Sequence, residues 1–317
     1  MKTAAVVLQA PQDLVLSHLE LDAAGDADVV VDIDYSGIST GTEKLLWSGR
    51  MPTFPGMGYP LVPGYESVGH VVAAGPAAKH RVGDAVFVPG ARCFGPVRGL
   101  FGGAAARLVV QDERVYDIDA ALGESAVLLA LAATAYHAVS GGGKRHPVTA
   151  PDLIIGHGVL GRLLARLTVA AGLPPPTVWE LDAQRSEGAR GYEVIRPDAD
   201  KRRDYRSVYD VSGDVRIIDK AMPHLAKGGE VVLAGFYAEP LSFNFAPAFM
   251  REAQIRAAAE WQRADMLAVK QLAEDGRLCL DGLITHRERA EHATGAYETA
   301  FTDAGCLKMV LDWRSCQ

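Results

Sequence analysis

Six consecutive residues near the middle of the chain form a G-x-G-x-x-G pattern: Gly156, His157, Gly158, Val159, Leu160 and Gly161. In this pattern the first glycine allows a tight turn, the second lets the backbone approach a pyrophosphate, and the third lets a helix pack closely on a strand. The amide groups at the N-terminus of that helix would bind the phosphates. We therefore predict that these six residues bind a dinucleotide, with His157 filling the turn rather than acting as a catalyst.

The segments on both sides of these glycines have the pattern that a dinucleotide site requires. Leu153–Ile155 predicts a buried strand, a helical pattern follows the glycines, and a second strand at Val178–Leu181 ends on Asp182. An acid about 20 residues after the last glycine accepts hydrogen bonds from the adenosine ribose. Asp182 therefore favours NAD over its 2′-phosphorylated form, although Arg185 could contact a 2′-phosphate.

The composition argues against several other classes of function. The 317 residues are 49% hydrophobic and 22% charged, which is typical of a soluble globular protein. The net charge of −7 comes without a basic stripe, so nucleic acid is not an expected partner. Four widely spaced cysteines form neither a disulfide framework nor a zinc knuckle. With no signal peptide and no apolar run of about 18 residues, the sequence predicts a cytoplasmic protein without a transmembrane segment.

The rest of the chain predicts two kinds of architecture. Residues 1–120 alternate short apolar runs with turn residues, which predicts an all-β segment. The exception is Gly41–Tyr65, whose glycines, prolines and apolar side chains predict a long ordered loop, and such loops are often functional. Glu124–Val139 predicts a helix, and the strands and helices that alternate after it predict a parallel sheet.

The order of these segments resembles the medium-chain dehydrogenase/reductase superfamily, and within it the zinc alcohol dehydrogenase group. The motifs that carry the resemblance span nearly the whole chain: SGISTGTE (Ser36–Glu43), PGYESVGHVVAAG (Pro63–Gly75), VGD (Val82–Asp84), ATAYHA (Ala133–Ala138), IGHGVLG (Ile155–Gly161), DVSG (Asp210–Gly213), GGEVVLAGF (Gly228–Phe236) and ITH (Ile284–His286). The resemblance implies an α/β protein with a Rossmann-fold cofactor domain and a mostly-β GroES-like catalytic domain. The catalytic domain would span residues 1–122, completed by 277–317, and the linking helix and NAD-binding domain would span 123–276.

The resemblance also implies where the reaction takes place. Family members bind substrate and nicotinamide in the cleft between the two domains. The positions that resemble nicotinamide contacts lie at the carboxyl ends of two predicted strands, where open α/β sheets bind ligands. These positions are Ser212, Gly213, Gly235 and Phe236.

Three positions depart from the zinc-binding pattern of the family. Ser39, or Thr40 if the gap is placed differently, replaces the cysteine of a G-I-C motif, Tyr65 replaces a histidine, and Ala130 stands near the third ligand. These residues cannot build the usual tetrahedral site, so we predict no metal. A side chain must then take the proton of the alcohol. The candidates are Ser39, Thr40, Thr42, Glu43, Tyr65 and Glu66. Alternatively, Glu66 only pairs with an arginine near the cofactor, and Tyr65 only fills the volume left by zinc.

Longer runs resemble the branch of the superfamily that acts in bacteriochlorophyll synthesis. They are STGTEKLLWSGRMPTFPGMGYPLVPGYESVG, CFGPVRGLFGGAAARLV, IIGHGVLGRLLARL and FMREAQIRAAAEWQ. The resemblance implies NAD-dependent oxidation of a hydroxyethyl group to acetyl on a chlorophyllide-type tetrapyrrole. The alternatives are a zinc-free, NADPH-dependent quinone or enone reductase and a non-catalytic tetrapyrrole-binding protein. Relatives commonly pair through the edge of the Rossmann sheet, which implies a homodimer.

A flat and apolar tetrapyrrole would need a wide site with aromatic and aliphatic walls. The long loop and the glycine-rich segment after it offer such side chains. We expect the substrate wall to include Trp47, Met51, Phe54, Tyr59, Phe94 and Phe101.

Overall fold

The computed structural model of the chain describes residues 1–141, 149–258 and 260–317. Its strands, in chain order, are β1 (Lys2–Ala10), β2 (Asp13–Glu20), β3 (Asp28–Ile38), β4 (Leu61–Val62), β5 (Ser67–Ala74), β6 (Ala85–Val88), β7 (Arg98–Gly99), β8 (Arg107–Gln111), β9 (Tyr116–Asp117), β10 (Leu153–Ile155), β11 (Thr177–Trp179), β12 (Glu193–Ile195), β13 (Tyr205–Asp210), β14 (Leu225–Leu233), β15 (Gln254–Ala257), β16 (His286–Arg289) and β17 (Met309–Asp312). Its α-helices are α1 (Thr42–Ser48), α2 (Leu129–Ser140), α3 (Val159–Ala170), α4 (Ile217–Ala221), α5 (Phe245–Arg251), α6 (Arg263–Glu274) and α7 (Ala293–Thr302). Short 3-10 helices lie at Asp112–Arg114, Ala120–Leu128, Met222–His224 and Ala290–His292.

The chain divides into two compact units. The first unit comprises Met1–Ala130 and Leu280–Gln317, and the second comprises Leu131–Cys279. The first unit is built on a four-stranded sheet in the order β2-β1-β4-β7 and a seven-stranded sheet. The larger sheet has the order β16-β17-β3-β5-β6-β9, with β8 also paired with β3. The first unit is therefore mostly β, as its alternating apolar pattern predicts.

The C-terminal segment completes the larger sheet of the first unit. Strand β17 runs antiparallel to β3 and pairs Met309 with Ile38. This register brings Lys308, which directly precedes β17, next to the end of β3. Residues from the two ends of the chain therefore share one buried region.

The segment Gly41–Tyr65 is not a continuous loop, so that prediction is wrong in part. It contains α1 and the short strand β4. Glu43 and Leu46 are three residues apart, and this spacing places both on the buried face of α1. Gly49 ends the helix with a φ of 70°, a left-handed conformation that glycine adopts without strain. The prolines and most of the glycines that suggested a loop lie after this helix.

The second unit is built on a parallel six-stranded sheet in the order β12-β11-β10-β13-β14-β15. Along the chain, these strands have the order 3-2-1-4-5-6 of a doubly wound sheet. The connections leave the central strand β10 in opposite directions, toward β11 on one side and β13 on the other. The carboxyl ends of the strands at this switch point are where such sheets bind ligands.

The predicted helix Glu124–Val139 forms as two pieces. Ala120–Leu128 is a 3-10 helix interrupted at Gly123, which has a φ of 49°, and α2 follows it directly. Among the described residues, Ala120–Ser140 is long and apolar enough to cross a membrane by length and composition alone. However, 56% of its most apolar window is buried inside the protein, as in a core helix.

Candidate active site

The glycine turn after β10 has the shape that a pyrophosphate requires. Gly156 has a φ of 104°, and its N–H donates to the Trp179 carbonyl oxygen at 2.9 Å. A Cβ at Gly161 would lie 1.9 Å from the Gly156 carbonyl oxygen, so only glycine fits there. Around Gly158 no atom lies within 4 Å of where a Cβ would stand, so the backbone is open to a ligand. The backbone conformation and open space at these three glycines are suitable for binding the pyrophosphate of a dinucleotide.

Helix α3 begins directly after this turn with its first amide groups uncapped. Gly158 is the N-cap, no side chain bonds to the helix N-terminus, and the first turn carries no acid. Val159 is buried and Leu160 is half-buried at the start of this helix. The unpaired N–H groups and the helix dipole therefore favour an anion at this end.

His157 is a structural residue of the turn. Its side chain is fully buried, Nδ1 lies 2.6 Å from the Arg185 carbonyl oxygen, and Nε2 lies 2.8 Å from the Tyr192 hydroxyl. Burial lowers the pKa of His157 to about 4, so the ring is neutral near pH 7. Both ring nitrogens have partners within the protein, and His157 thereby fixes the loop after β11.

Two acids follow β11, and the one nearer the glycine turn is Glu180. Its Oε2 accepts the His157 N–H at 3.0 Å, and its Oε1 accepts the N–H groups of Leu181 and Asp182 at 2.7 and 2.9 Å. The predicted Asp182 instead accepts the N–H groups of Gln184 and Arg185 within its own turn. Glu180 is thus a ribose-binding candidate that the sequence reasoning missed. The spacing alone could have revealed it, because both acids lie about 20 residues after Gly161.

The predicted nicotinamide contacts lie together after β13 and β14, held by one buried acid. Asp210 Oδ1 accepts the N–H and the hydroxyl of Ser212 at 3.1 and 2.6 Å, and its carbonyl oxygen accepts the Gly235 N–H at 3.0 Å. A Cβ at Gly213 would lie 3.4 Å from the Phe236 carbonyl oxygen, and the Phe236 side chain is 52% exposed. Asp210 belongs to the DVSG motif but was not among the predicted contacts, because the sequence does not reveal the hydrogen bonds that its side chain accepts.

A pair of hydroxyl groups occupies the predicted catalytic positions of the first unit. The Tyr65 hydroxyl donates to Ser39 Oγ at 2.6 Å. Ser39 is buried and Tyr65 is half-buried, and burial raises the pKa of the phenol well above its ordinary value. The Thr42 hydroxyl also bonds to Tyr65, whereas Thr40 is half-buried beside Ser39 in the chain. Tyr65 is therefore a neutral phenol near pH 7.

The two predicted carboxylates are fully buried and differently paired. Both oxygens of Glu66 bind the Lys308 ammonium group, at 2.8 and 2.6 Å, and Lys308 also donates to the Ile38 carbonyl oxygen. Glu43 has neutral donors instead, the Ser39 N–H at 2.9 Å and the Tyr297 hydroxyl at 2.7 Å. Burial raises the pKa of Glu43 to about 7. Glu66 is thus held in an ion pair, with a lysine rather than the arginine that the sequence suggested.

The residues at the family's zinc positions do not fit a zinc ion. Ser39 and Tyr65 bond to each other, and the buried Ala130 has no donor atom in its side chain. Structural and catalytic zinc sites use thiolate, imidazole or carboxylate ligands. Within the described ranges, no group of three or more His, Cys, Asp or Glu residues could hold a metal.

The predicted substrate wall is brought together only in part. Phe54, Phe94 and Phe101 line a groove of about 390 Å³ in the first unit. Trp47 instead packs on Phe301, with the ring centroids 5.4 Å apart. The other two predicted residues serve the core: Met51 is buried, and the Tyr59 hydroxyl bonds to the Leu46 carbonyl oxygen of α1.

Comparison with known proteins shows to which family this chain belongs. A model of the alcohol dehydrogenase GroES-like domain matches residues 25–120. The chain is 58% identical over 320 residues to the 2-desacetyl-2-hydroxyethyl bacteriochlorophyllide A dehydrogenase of Cereibacter sphaeroides, covering 99% of each chain. It belongs to this dehydrogenase family. A bacteriochlorophyllide A dehydrogenase of the same name from Rhodobacter capsulatus is 57% identical over 100% of both chains.

Solved dehydrogenase structures share the fold of this chain. The L-idonate 5-dehydrogenase of Escherichia coli superposes with a TM-score of 0.84 at 16% identity, covering 98% of each chain. The α/β fold with Rossmann and GroES-like parts, predicted from the sequence, is confirmed. As a member of the bacteriochlorophyllide dehydrogenase family, the chain is an enzyme of the medium-chain dehydrogenase/reductase superfamily.

Proposed function

We propose that this enzyme oxidises the hydroxyethyl group of a bacteriochlorophyllide intermediate to acetyl, using NAD and no catalytic zinc. The observation that carries this proposal is the full-length similarity to two dehydrogenases named for that substrate. In the reaction, the alcohol carbon loses a hydride and the alcohol oxygen loses a proton, and a carbonyl group forms. When bound, the nicotinamide accepts the hydride.

The second unit would serve as the cofactor domain. The open backbone at Gly158 and the uncapped N-terminus of α3 would bind the pyrophosphate, while Gly156 and Gly161 keep turn and helix close together. The residues that Asp210 holds, Ser212 and Gly235, would position the nicotinamide.

We favour NAD over NADP because acids follow strand β11. A carboxylate at this position binds both ribose hydroxyls and repels a 2′-phosphate. Glu180 and Asp182 both qualify, and Glu180 already contacts the glycine turn.

The first unit would serve as the catalytic domain, with the Tyr65–Ser39 pair receiving the alcohol proton. A neutral hydroxyl can accept a proton while it donates its own, so the Tyr65 phenol would take the alcohol proton as it passes its own to Ser39, and Ser39 would release a proton to a water molecule as the final acceptor. The Tyr65 residue as a whole is half-buried, and its hydroxyl group bonds to Ser39 and to Thr42. Glu43 holds the Ser39 backbone, and the Glu66–Lys308 ion pair holds the end of β3, so both acids position this hydroxyl pair.

We further propose that the enzyme acts in the cytoplasm as a homodimer. Strand β15 is at the edge of the six-stranded sheet, and edge strands offer unpaired backbone groups to a second chain. Beside it lie exposed apolar side chains on α5, namely Phe245, Phe249 and Met250. Burying such a patch would favour symmetric pairing of two copies.

Incubation of the purified enzyme with NAD and the hydroxyethyl pigment tests the reaction. We expect equal amounts of NADH and acetyl pigment, followed by absorbance and by chromatography of the pigment. Faster turnover of quinones or enones with NADPH would support a reductase instead. Pigment binding without formation of either product would contradict an enzymatic role.

A further inference from the structure

The groove in the first unit carries two basic side chains on an otherwise apolar wall. Its volume is about 390 Å³, in the range of ligand pockets. The side chains that shape it are Phe54, Phe94, Val97, Leu100, Phe101, Arg92 and Arg98. No carboxylate is among the lining residues, and the exposed Asp22 lies near the rim at Gly95.

Both arginines retain donors for a ligand. They are exposed, and neither forms an ion pair with an acid among the described residues. Arg98 makes one long hydrogen bond, from Nη1 to the Tyr59 carbonyl oxygen at 3.3 Å, and its guanidinium lies against Gly58. A guanidinium group has five N–H donors, so most of those on Arg98 remain available.

Phe101 connects this groove to the hydroxyl pair. Its ring lines the groove and packs edge-on against Tyr65, with centroids 5.5 Å apart and an interplanar angle of 89°. Tyr65 in turn bonds to Ser39. A flat ligand in the groove would therefore lie near the proposed proton acceptor at one end, with arginines elsewhere on the wall.

The chemistry of the proposed substrate matches this arrangement. A chlorophyllide is the free acid of its pigment, so it combines a flat apolar macrocycle with one unesterified propionate. Arginine binds carboxylates through paired N–H donors in a fixed geometry. Resting on the proposed function, we infer that Arg92 and Arg98 bind the propionate of the substrate while Phe54 and Phe101 contact its ring. The groove thereby selects the free acid over its esters.

Comparison of the free-acid hydroxyethyl pigment with its propionate methyl ester tests this inference. We expect wild type to favour the free acid by about tenfold in kcat/KM, because a hydrogen bond to a charged group contributes about that much. In Arg92→Gln and Arg98→Gln, KM for the free acid should rise and kcat should change little, and the preference should shrink. KM for the ester should stay the same. Arg114→Gln, an exposed arginine of the same unit outside the groove, serves as the control.

The outcomes separate this inference from the proposed function. Turnover of acid and ester with equal efficiency by wild type, or an undiminished preference in both arginine variants, would overturn the inference. Turnover of neither pigment would overturn the proposed function instead. In that case, equilibrium binding of the two pigments, measured by their fluorescence, still tests whether the arginines bind the propionate. Tighter binding of the free acid by wild type, lost in both arginine variants, would support that role. Equal binding of acid and ester by wild type would overturn it.

Discussion

The two buried carboxylates of the first unit differ in what neutralises them. Glu66 binds a buried lysine through both oxygens, whereas Glu43 has a backbone amide and a phenol. Burial raises the pKa of both acids, but the Lys308 ammonium group opposes this rise for Glu66, whereas Glu43 has no cation in contact among the described residues and its pKa reaches about 7. Both oxygens of Glu66 are already occupied by Lys308, which is why we propose the hydroxyl pair rather than Glu66 as the acceptor of the alcohol proton.

Replacing Tyr65 by Phe should separate catalysis from folding. The variant keeps the ring that packs on Phe101 and loses only the hydroxyl that bonds to Ser39. We expect kcat to fall by about 10²–10⁴-fold, the usual contribution of a proton-transferring group, while the free energy of unfolding falls by only about 1 kcal/mol through the lost hydrogen bond. Steady-state kinetics and thermal melting measure the two effects.

Glu66→Gln is the matched comparison. It leaves Lys308 buried without a carboxylate, so we expect a loss of roughly 3–5 kcal/mol in the free energy of unfolding.

Near-normal turnover in Tyr65→Phe would exclude Tyr65 as the proton acceptor and direct attention to Ser39 and Thr42.

The raised pKa of Glu43 should make stability depend on pH. Burial raises this pKa from an ordinary 4.5 to about 7. Between these values the folded protein holds a proton that the unfolded chain has released, so the free energy of unfolding falls as the pH rises. Glu43→Gln should remove this loss, which amounts to roughly 3 kcal/mol.

Thermal melting at several pH values checks this expectation. The melting temperature of Glu43→Gln should rise relative to wild type as the pH increases through this window. Glu20→Gln, which changes an exposed acid of the same unit, should parallel wild type throughout. A constant difference between Glu43→Gln and wild type at every pH would show that Glu43 does not titrate there.

The hydroxyl pair, the two buried acids and the partners of those acids form one cluster in the first unit. Local sequence motifs revealed half of its members and could not reveal the rest. Ser39, Glu43, Tyr65 and Glu66 lie in two short motifs, so resemblance to a family was enough to single them out. Their partners come from the far end of the chain, with Lys308 and Tyr297 separated from Glu66 and Glu43 by 242 and 254 residues. The pairing of β17 with β3 brings Lys308 to Glu66, and Tyr297 reaches Glu43 from helix α7.

At the scale of elements, regular patterns were predictive and irregular ones were not. The short apolar runs predicted most strands of the first 120 residues, although β1 and β3 are buried on both faces over most of their length. The helix α1 was missed because its single buried stripe is only two residues long, Glu43 and Leu46, and one of them is an acid. The partners that make this buried acid compatible with the core are the Ser39 N–H and the distant Tyr297 hydroxyl, and sequence periodicity reveals neither of them.

The turn after β11 makes a prediction about cofactor choice. We expect Glu180→Ala to weaken NAD binding by about tenfold, because Glu180 contacts the glycine turn and a charged acceptor is lost. NADP binding should weaken less, because its 2′-phosphate cannot make the same hydrogen bonds. Titration of protein fluorescence with NADH and NADPH measures both affinities.

Asp182→Ala is the matched control for this experiment. A larger loss of NAD binding in Asp182→Ala than in Glu180→Ala would show that Asp182, and not Glu180, binds the adenosine ribose. Equal losses for both cofactors in both variants would remove the ribose role from these two acids.

At the scale of the whole molecule, the edge of the six-stranded sheet predicts self-association. Phe249 is 66% exposed and Met250 is 73% exposed beside β15. We expect wild type to sediment as a dimer at micromolar concentration and Phe249→Glu to sediment as a monomer, because a buried unpaired charge opposes association. Leu267→Glu, on the exposed face of α6, should remain a dimer. A wild-type monomer, or a dimeric Phe249→Glu, would place any interface elsewhere.

We propose above all that a pair of hydroxyl groups, and not a zinc ion, assists the removal of the proton from the substrate alcohol. The direct test compares NADH formation from the hydroxyethyl pigment before and after exhaustive treatment of the enzyme with a chelator, with zinc measured in the same samples. We expect far less than one zinc per chain, an unchanged rate after chelation, and one acetyl pigment for each NADH. One zinc per chain whose removal abolishes turnover, and whose return restores it, would contradict the account.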